Sequence, residues 1–315
     1  MKRFLTLALI LSLAGNIFGQ TLNGVTQNPI SAHYNMMPFV YNPAFTGLSE
    51  HGELFVSGQN LAALLDSLQY SSDLVAVHAK VPGFDGGVGG KLIYVYFPGR
   101  RYVTLSGDFS YVLWRGEESG KLAVGGSVGL GVADAVISTG LISENRLRVF
   151  PDFGAGIAFT YEGLTLGAGG RHLGRPMVNY TSSNGEIIDD VFYMSGAYGF
   201  VIDGIEFTPS FLGRWRNSGY FLTDFQLDAD FDDKFGLGLG YRVDLRRISP
   251  PNPSNPIIFQ RFKVFLASAQ AGINNQFFIR ATYSNVLNQF TLNPNNIEVS
   301  VSYRFKSADA PNHDL

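Results

Sequence analysis

Three stretches of the chain have the letters of known chemistry. The first, "GFDGGVGGKL" from Gly83 to Leu92, looks like a phosphate-binding loop. That loop needs a first glycine for its turn and a final Ser or Thr to reach a metal ion. Asp85 and Leu92 stand at those two places, so neither function is served. The second, "GLGLG" from Gly236, resembles a dinucleotide fingerprint, but no helical pattern follows it. Glycine on the polar face of a strand more simply leaves room inside or lets the strand bend. The third is a set of five histidines, His33, His51, His78, His172 and His313, with no i, i+4 or HxH spacing to hold a metal.

The other routes to catalysis are equally thin. The chain has no cysteine, which removes disulfides, thiolate metal sites and cysteine nucleophiles together. No serine sits in a GxSxG elbow. The sequence therefore yields no catalytic, cofactor-binding or metal-ligating residue, and the expectation is that the protein is not an enzyme. A hydrolase built into a barrel wall is the distant exception. The acidic run Asp224, Asp228, Asp230, Asp232 and Asp233, and the basic pair Arg246 and Arg247, read as solvated lumen and rim.

Composition accounts for this shortage of chemistry. Only 16% of residues are charged and 14% are aromatic, with 37 glycines and 14 prolines among 315 residues. Soluble domains carry about 25% charge, so part of this surface is expected to face something other than water. A net charge of −3 gives no basic field, which excludes nucleic acid as a partner.

The elements that position every polar group are strands. In "RYVTLSGDFSYVL", Val103, Leu105, Phe109, Tyr111 and Leu113 alternate with Thr104, Ser106, Asp108 and Ser110. Period two puts one set on each face of a sheet. The pattern recurs to Phe305, giving about fourteen strands, and Asp108, Arg171, Arg214, Asp224, Asp228, Arg280 and Arg304 all fall on the polar face. A Lys or Arg on the lipid face at mid-bilayer costs roughly 2–4 kcal/mol. The expected fold is all-β: a transmembrane up-and-down antiparallel barrel of about 14 strands, preceded by a periplasmic or plug-like peptide. A soluble sandwich, propeller or solenoid would also alternate, but no 20- to 50-residue repeat supports one.

Connections and ends complete the plan. "YEG", "IDG", "DDK" and "INN" read as tight periplasmic turns, and 134–150, 173–190 and 244–259 as longer outer loops. Trp114, Tyr161, Trp215, Tyr220, Tyr241 and Phe305 fit interfacial girdles. Lys2 and Arg3 before "FLTLALILSLAG" read as a signal peptide over 1–19. The segments expected are then an aromatic, Pro-broken stretch over 20–52, the outer-membrane barrel over 53–305 and a polar periplasmic tail over 306–315.

The stretch "QNPISAHYNMMPFVYNPAFTG" ahead of the first strand is too apolar to hang in water and too short for a domain. With Gln27, Pro29, Tyr34, Asn42, Pro43, Ala44 and Gly47, it resembles the opening of the PorP/SprF family of type IX secretion outer-membrane proteins. Asn28 stands where that opening usually has an acidic residue. The resemblance implies an integral outer-membrane, non-enzymatic component of type IX secretion. It further implies a part in exporting or attaching specific cargo such as gliding adhesins. Implied partners are outer-membrane lipids, secretion components including periplasmic lipoproteins, and the cargo protein, with no cofactor. The alternative is an outer-membrane channel or transporter for hydrophobic or small solutes.

Overall fold

The computed structural model describes residues 31–62, 70–97, 100–116, 120–138, 143–174, 177–179, 185–187, 190–216, 220–231, 234–248, 258–274, 276–287 and 295–306. Two short helical turns come first, Pro38–Tyr41 and Pro43–Phe45. Strands follow: β1 (His51–Ala62), β2 (Tyr70–Lys80), β3 (Gly86–Phe97), β4 (Arg100–Arg115), β5 (Lys121–Ser138), β6 (Ser143–Tyr161) and β7 (Leu164–Arg171). Next are β8 (Met177–Asn179), β9 (Gly185–Ile187), β10 (Val191–Tyr198), β11 (Phe200–Ile202), β12 (Ile205–Arg216) and β13 (Tyr220–Phe231). The last are β14 (Phe235–Ile248), β15 (Ile258–Asn274), β16 (Phe277–Val286) and β17 (Asn295–Lys306).

Each long strand pairs antiparallel with its neighbours in sequence, β1 pairs with β17, and the result is a closed barrel of 14 strands. Closure leaves the wall no free sheet edge along its circumference, which hydrocarbon demands. β10 and β11 form one crossing, both paired with β12, and the break at Gly199 follows Tyr198, the residue whose register places it opposite Pro209, which has no N–H for the ladder. β8 and β9 pair only with each other, outside the barrel wall.

Burial is inverted relative to a soluble protein. Leu105, Phe109, Val128, Leu130, Phe225 and Leu239 are each more than half exposed, whereas Asp108, Arg171, Arg214, Asp224, Asp228 and Arg280 are buried. Arg304, half-buried, also lies on the inner side. The alternation read from the sequence thus places apolar side chains toward lipid and the charged ones in the lumen. There they pair across the wall: Lys91 with Asp108 at 2.9 Å, Arg171 with Asp152 at 3.1 Å, and Arg242 with Asp224 directly opposite. Trp114, Tyr161 and Trp215 face outward near strand ends as expected, whereas Tyr241 faces outward from the middle of β14.

The two ends differ. At the end where the barrel begins, the turns after β6 and β11 are Glu162–Gly163 and Asp203–Gly204, all with positive φ. Glycine tolerates that conformation at the second position of a tight hairpin. At the opposite end the expected loops 134–150 and 244–259 need correction. β5 continues to Ser138 and β6 resumes at Ser143, while β14 continues to Ile248 and β15 resumes at Ile258. Hairpin pairing persists there after the lipid-facing pattern has faded, and polar residues such as Asn145, Arg146 and Arg246 made these strands read as loops.

Candidate functional site

Inside the barrel lies the segment 31–48. All of residues 31–47 except Asn35, Met36 and Pro38 are buried. Pro38 opens the first helical turn at a position where a missing N–H costs nothing, and Pro43 does the same for the second. Asn42 joins the two. Its Oδ1 accepts from the Ala44 N–H at 3.0 Å, capping the second turn. Its Nδ2 donates to the backbone carbonyls of Ile157 (2.8 Å) and Ala168 (3.2 Å), which ties the turn to β6 and β7.

The remaining motif residues are explained by close approach. A Cβ on Gly125 would overlap the backbone of Pro43 and Ala44, and one on Gly156 would overlap the Asn42 side chain. Ala44 is fully buried against this bare patch of wall. Gly47 has φ +66° and lies against the Cα of Gly87, so neither position has room for a side chain. The Gly47 N–H donates to His78 Nδ1 at 3.1 Å, and the Phe39 ring lies 4.2 Å from the His78 ring. Lys121 Nζ donates to the Leu48 carbonyl at 3.1 Å, where the segment leaves for β1.

The far end of the segment is held by polar side chains of β12–β17. Glu298 accepts from the Ser31 hydroxyl, from the Ala32 N–H at 2.6 Å and from the Ser57 hydroxyl at 2.9 Å. Gln226 Nε2 donates to the Ala32 carbonyl at 2.7 Å, and Asn35 Nδ2 donates to Asp228. Asp228 also pairs with Arg280 across Gly238, where a Cβ would fill the space the ion pair occupies. That is the room a lumenal glycine was expected to leave, and it is all that "GLGLG" contributes here. His33 Nε2 lies 2.7 Å from Thr282 Oγ1 and Nδ1 lies 3.5 Å from Glu298. Burial, with Arg280 adding to it, holds the His33 imidazole well below its ordinary pKa, so it is neutral. The Tyr34 hydroxyl meets Ser210 at 3.1 Å. Tyr41 takes the Ser31 N–H at 2.8 Å, and burial keeps its phenol neutral.

The structure therefore brings Tyr34, Asn42, Pro43, Ala44 and Gly47 together inside the lumen; Gln27 and Pro29 lie outside the described residues. Sequence reasoning missed Glu298, Gln226, Thr282 and His33 on one side and Gly125, Gly156 and Gly87 on the other. A cavity of ≈ 20 Å³, lined by Ser31, Tyr41, Gln59, Arg171 and Glu298 among others, has room for about one water. Among the described residues no group of three or more His, Cys, Asp or Glu could hold a metal. The arrangement seats residues 31–48 in the lumen and fixes them to both sides of the wall.

Solved structures share the fold. The CymD monoaromatic hydrocarbon channel is similar at TM-score 0.56 and 10% identity, over 90% of this chain and 94% of that one. A deletion mutant of the TodX monoaromatic hydrocarbon channel is similar at TM-score 0.50 and 11% identity, over 85% and 93%. A comparison with curated proteins finds no match. The family described as type IX secretion system membrane protein PorP/SprF matches residues 24–303, from the segment before the occluding peptide to the last strand. The chain belongs to that PorP/SprF family, as an integral β-barrel of the outer membrane.

Proposed function

We propose that this barrel is a non-catalytic, permanently occluded membrane anchor in type IX secretion, supporting export or surface attachment of specific cargo such as adhesins. The observation that carries this reading is the plug: a lumen filled by residues 31–48 and bound to both walls suits a scaffold better than a conduit. In this reading residues 1–19 direct export, the plug comes from the stretch 20–52, and the barrel spans the membrane. The periplasmic turns and the tail 306–315 meet secretion components, including lipoproteins. The outer hairpins meet cargo.

The test is deletion followed by comparison of secreted and surface-attached proteins. The expected result is loss of a small, defined set of proteins with general outer-membrane integrity retained. An unchanged set, together with reduced uptake of a small hydrophobic solute, would overturn this reading in favour of a channel.

A further inference from the structure

Two cations stand on the lipid-facing side of the wall, on β15. The odd-numbered residues of this strand point outward: Phe265 is 40% exposed, whereas Leu266 is 2% exposed and Ser268 accepts a hydrogen bond from Arg280 in the lumen. Lys263 and Arg261 continue the outward row, and both are exposed.

Register fixes their depth. On β14 the outward row is apolar from Phe235 to Leu245, the length in which a tilted strand crosses hydrocarbon, about 9–11 residues. Lys263 lies directly opposite Val243 and Arg261 directly opposite Leu245, the last two members of that row. β16 changes character at the same level, where its outward row of Ile279, Ala281 and Tyr283 gives way to Asn285, directly opposite Phe265. Three adjacent strands thus put both cations at the boundary of the hydrocarbon, on the side remote from the chain's entry into β1. A lipid-facing cation is tolerated at that depth, because its long stem carries the charge into the headgroup layer.

The wall below them has a matching shape. Tyr241, Phe265 and Tyr283, exposed by 36%, 40% and 43%, form an aromatic step under Lys263. Aromatic rings at this level sit among lipid headgroups. Further down, Ala271, Ala269 and Ala267 of β15 stand directly opposite Phe235, Leu237 and Leu239 of β14, so the missing bulk hollows the wall along β15. Cations above an apolar hollow match a ligand with an anionic head and a hydrocarbon tail. Arginine and lysine are the side chains that hold phosphate, the first through a planar fork and the second as a point charge. Phosphate carried on acyl chains is what the outer leaflet of an outer membrane presents, on its glycolipid.

We infer that Arg261 and Lys263 bind a phosphate group of the outer-leaflet glycolipid, lipopolysaccharide, with an acyl chain lying along the alanines of β15. The inference rests on the barrel's place in the outer membrane and is independent of the secretion reading.

The test uses the full-length barrel in a mild detergent, its fold checked by heat-modifiable mobility, titrated with lipid A and followed by native mass spectrometry. Arg261→Gln/Lys263→Gln is expected to lower the affinity by about tenfold or more, since each charged hydrogen bond to phosphate is worth about a factor of ten. Arg101→Gln is the control, because Arg101 is exposed on the outward face of β4 at the same end, directly opposite Asp134; it is expected to leave the affinity unchanged. Lipid A stripped of its phosphates should bind the wild type as weakly as lipid A binds the double variant. Wild-type affinity in the double variant, or for the stripped lipid, overturns the inference. Phosphatidylglycerol binding as tightly as lipid A overturns the choice of glycolipid. Should the double variant fail to fold, Lys263→Gln and Lys263→Arg decide: loss in the first and retention in the second is expected, and equal affinity in both overturns the inference.

Discussion

The two walls that grip the plug differ in their main means. β2–β7 offer chiefly absence, with single hydrogen bonds at His78 and Lys121: Gly87, Gly125 and Gly156 leave the backbone bare, so Asn42, Ala44 and Gly47 approach it closely. β12–β17 offer groups: Glu298, Gln226, Asp228 and Thr282 reach out to residues 31–35. The glycine wall works by shape and fails abruptly when filled. The polar wall works by several hydrogen bonds and weakens by steps. The comparison teaches that one short peptide can be fixed rigidly at the end attached to β1 and adjustably at the other.

The largest effect should come from the glycine wall. In Gly125→Leu the new side chain would meet the backbone of Pro43 and Ala44, which has no rotamer to yield. Overpacking of this kind costs about 1–3 kcal/mol or more, and here the plug can leave instead of the barrel unfolding. The expected outcome is a folded, heat-modifiable barrel whose plug becomes accessible to protease and which conducts ions in a planar bilayer. A non-conducting, protease-resistant variant would mean that the glycine seat does not hold the plug.

Glu298→Ala comes second. It deprives the Ala32 N–H and two hydroxyls of their acceptor. Hydrogen bonds to a charged group contribute about 1.5–3 kcal/mol each, and water entering the lumen would replace part of that. The expectation is a plug freed over residues 31–35 but still seated over 39–48. A cysteine placed at Ala32 should then react faster with maleimide by tenfold or more, while one placed at Ala44 should not. Equal acceleration at both would show that the two walls act as one unit.

Much of this architecture was legible because lipid imposes a rule on every second residue. The faces holding Leu105 and Asp108, or Phe225 and Asp224, could be assigned from alternation alone, and the strand count followed. Where lipid ends, the rule lapses: Asn145, Arg146 and Arg246 sit in ladders yet read as loop. The plug was legible in kind, since Tyr34, Phe39 and Tyr41 are too apolar for water, but its seats were not. Asn42 meets Ile157 and Ala168, and Ala32 meets Glu298, across separations that no local pattern encodes. The one local trace of a seat was glycine on a lumen-facing position. The sequence offered that reading for Gly236–Gly240, while the same sign at Gly125 and Gly156 passed unread.

The smallest effect tests the polar wall by pH. His33 is neutral when docked because burial, with Arg280 nearby, lowers its pKa well below 6.5. A released plug would return His33 to an ordinary imidazole with a pKa near 6.5. Docking is therefore unpenalised above about pH 6.5 and weakens as pH falls below it, by up to about 1.4 kcal/mol per unit until the depressed value is reached. The β2–β7 wall has a titratable group of its own, since His78 accepts from the Gly47 N–H, so the residues followed are those that His33 holds. Between pH 7.5 and 5.5 the maleimide-independent probe of choice is hydrogen exchange. Amides of 31–35 should lose protection at pH 5.5, after correction for intrinsic rates. His33→Gln should remove the difference. If it persists in that variant, the acid sensitivity belongs to the carboxylates around it and not to His33.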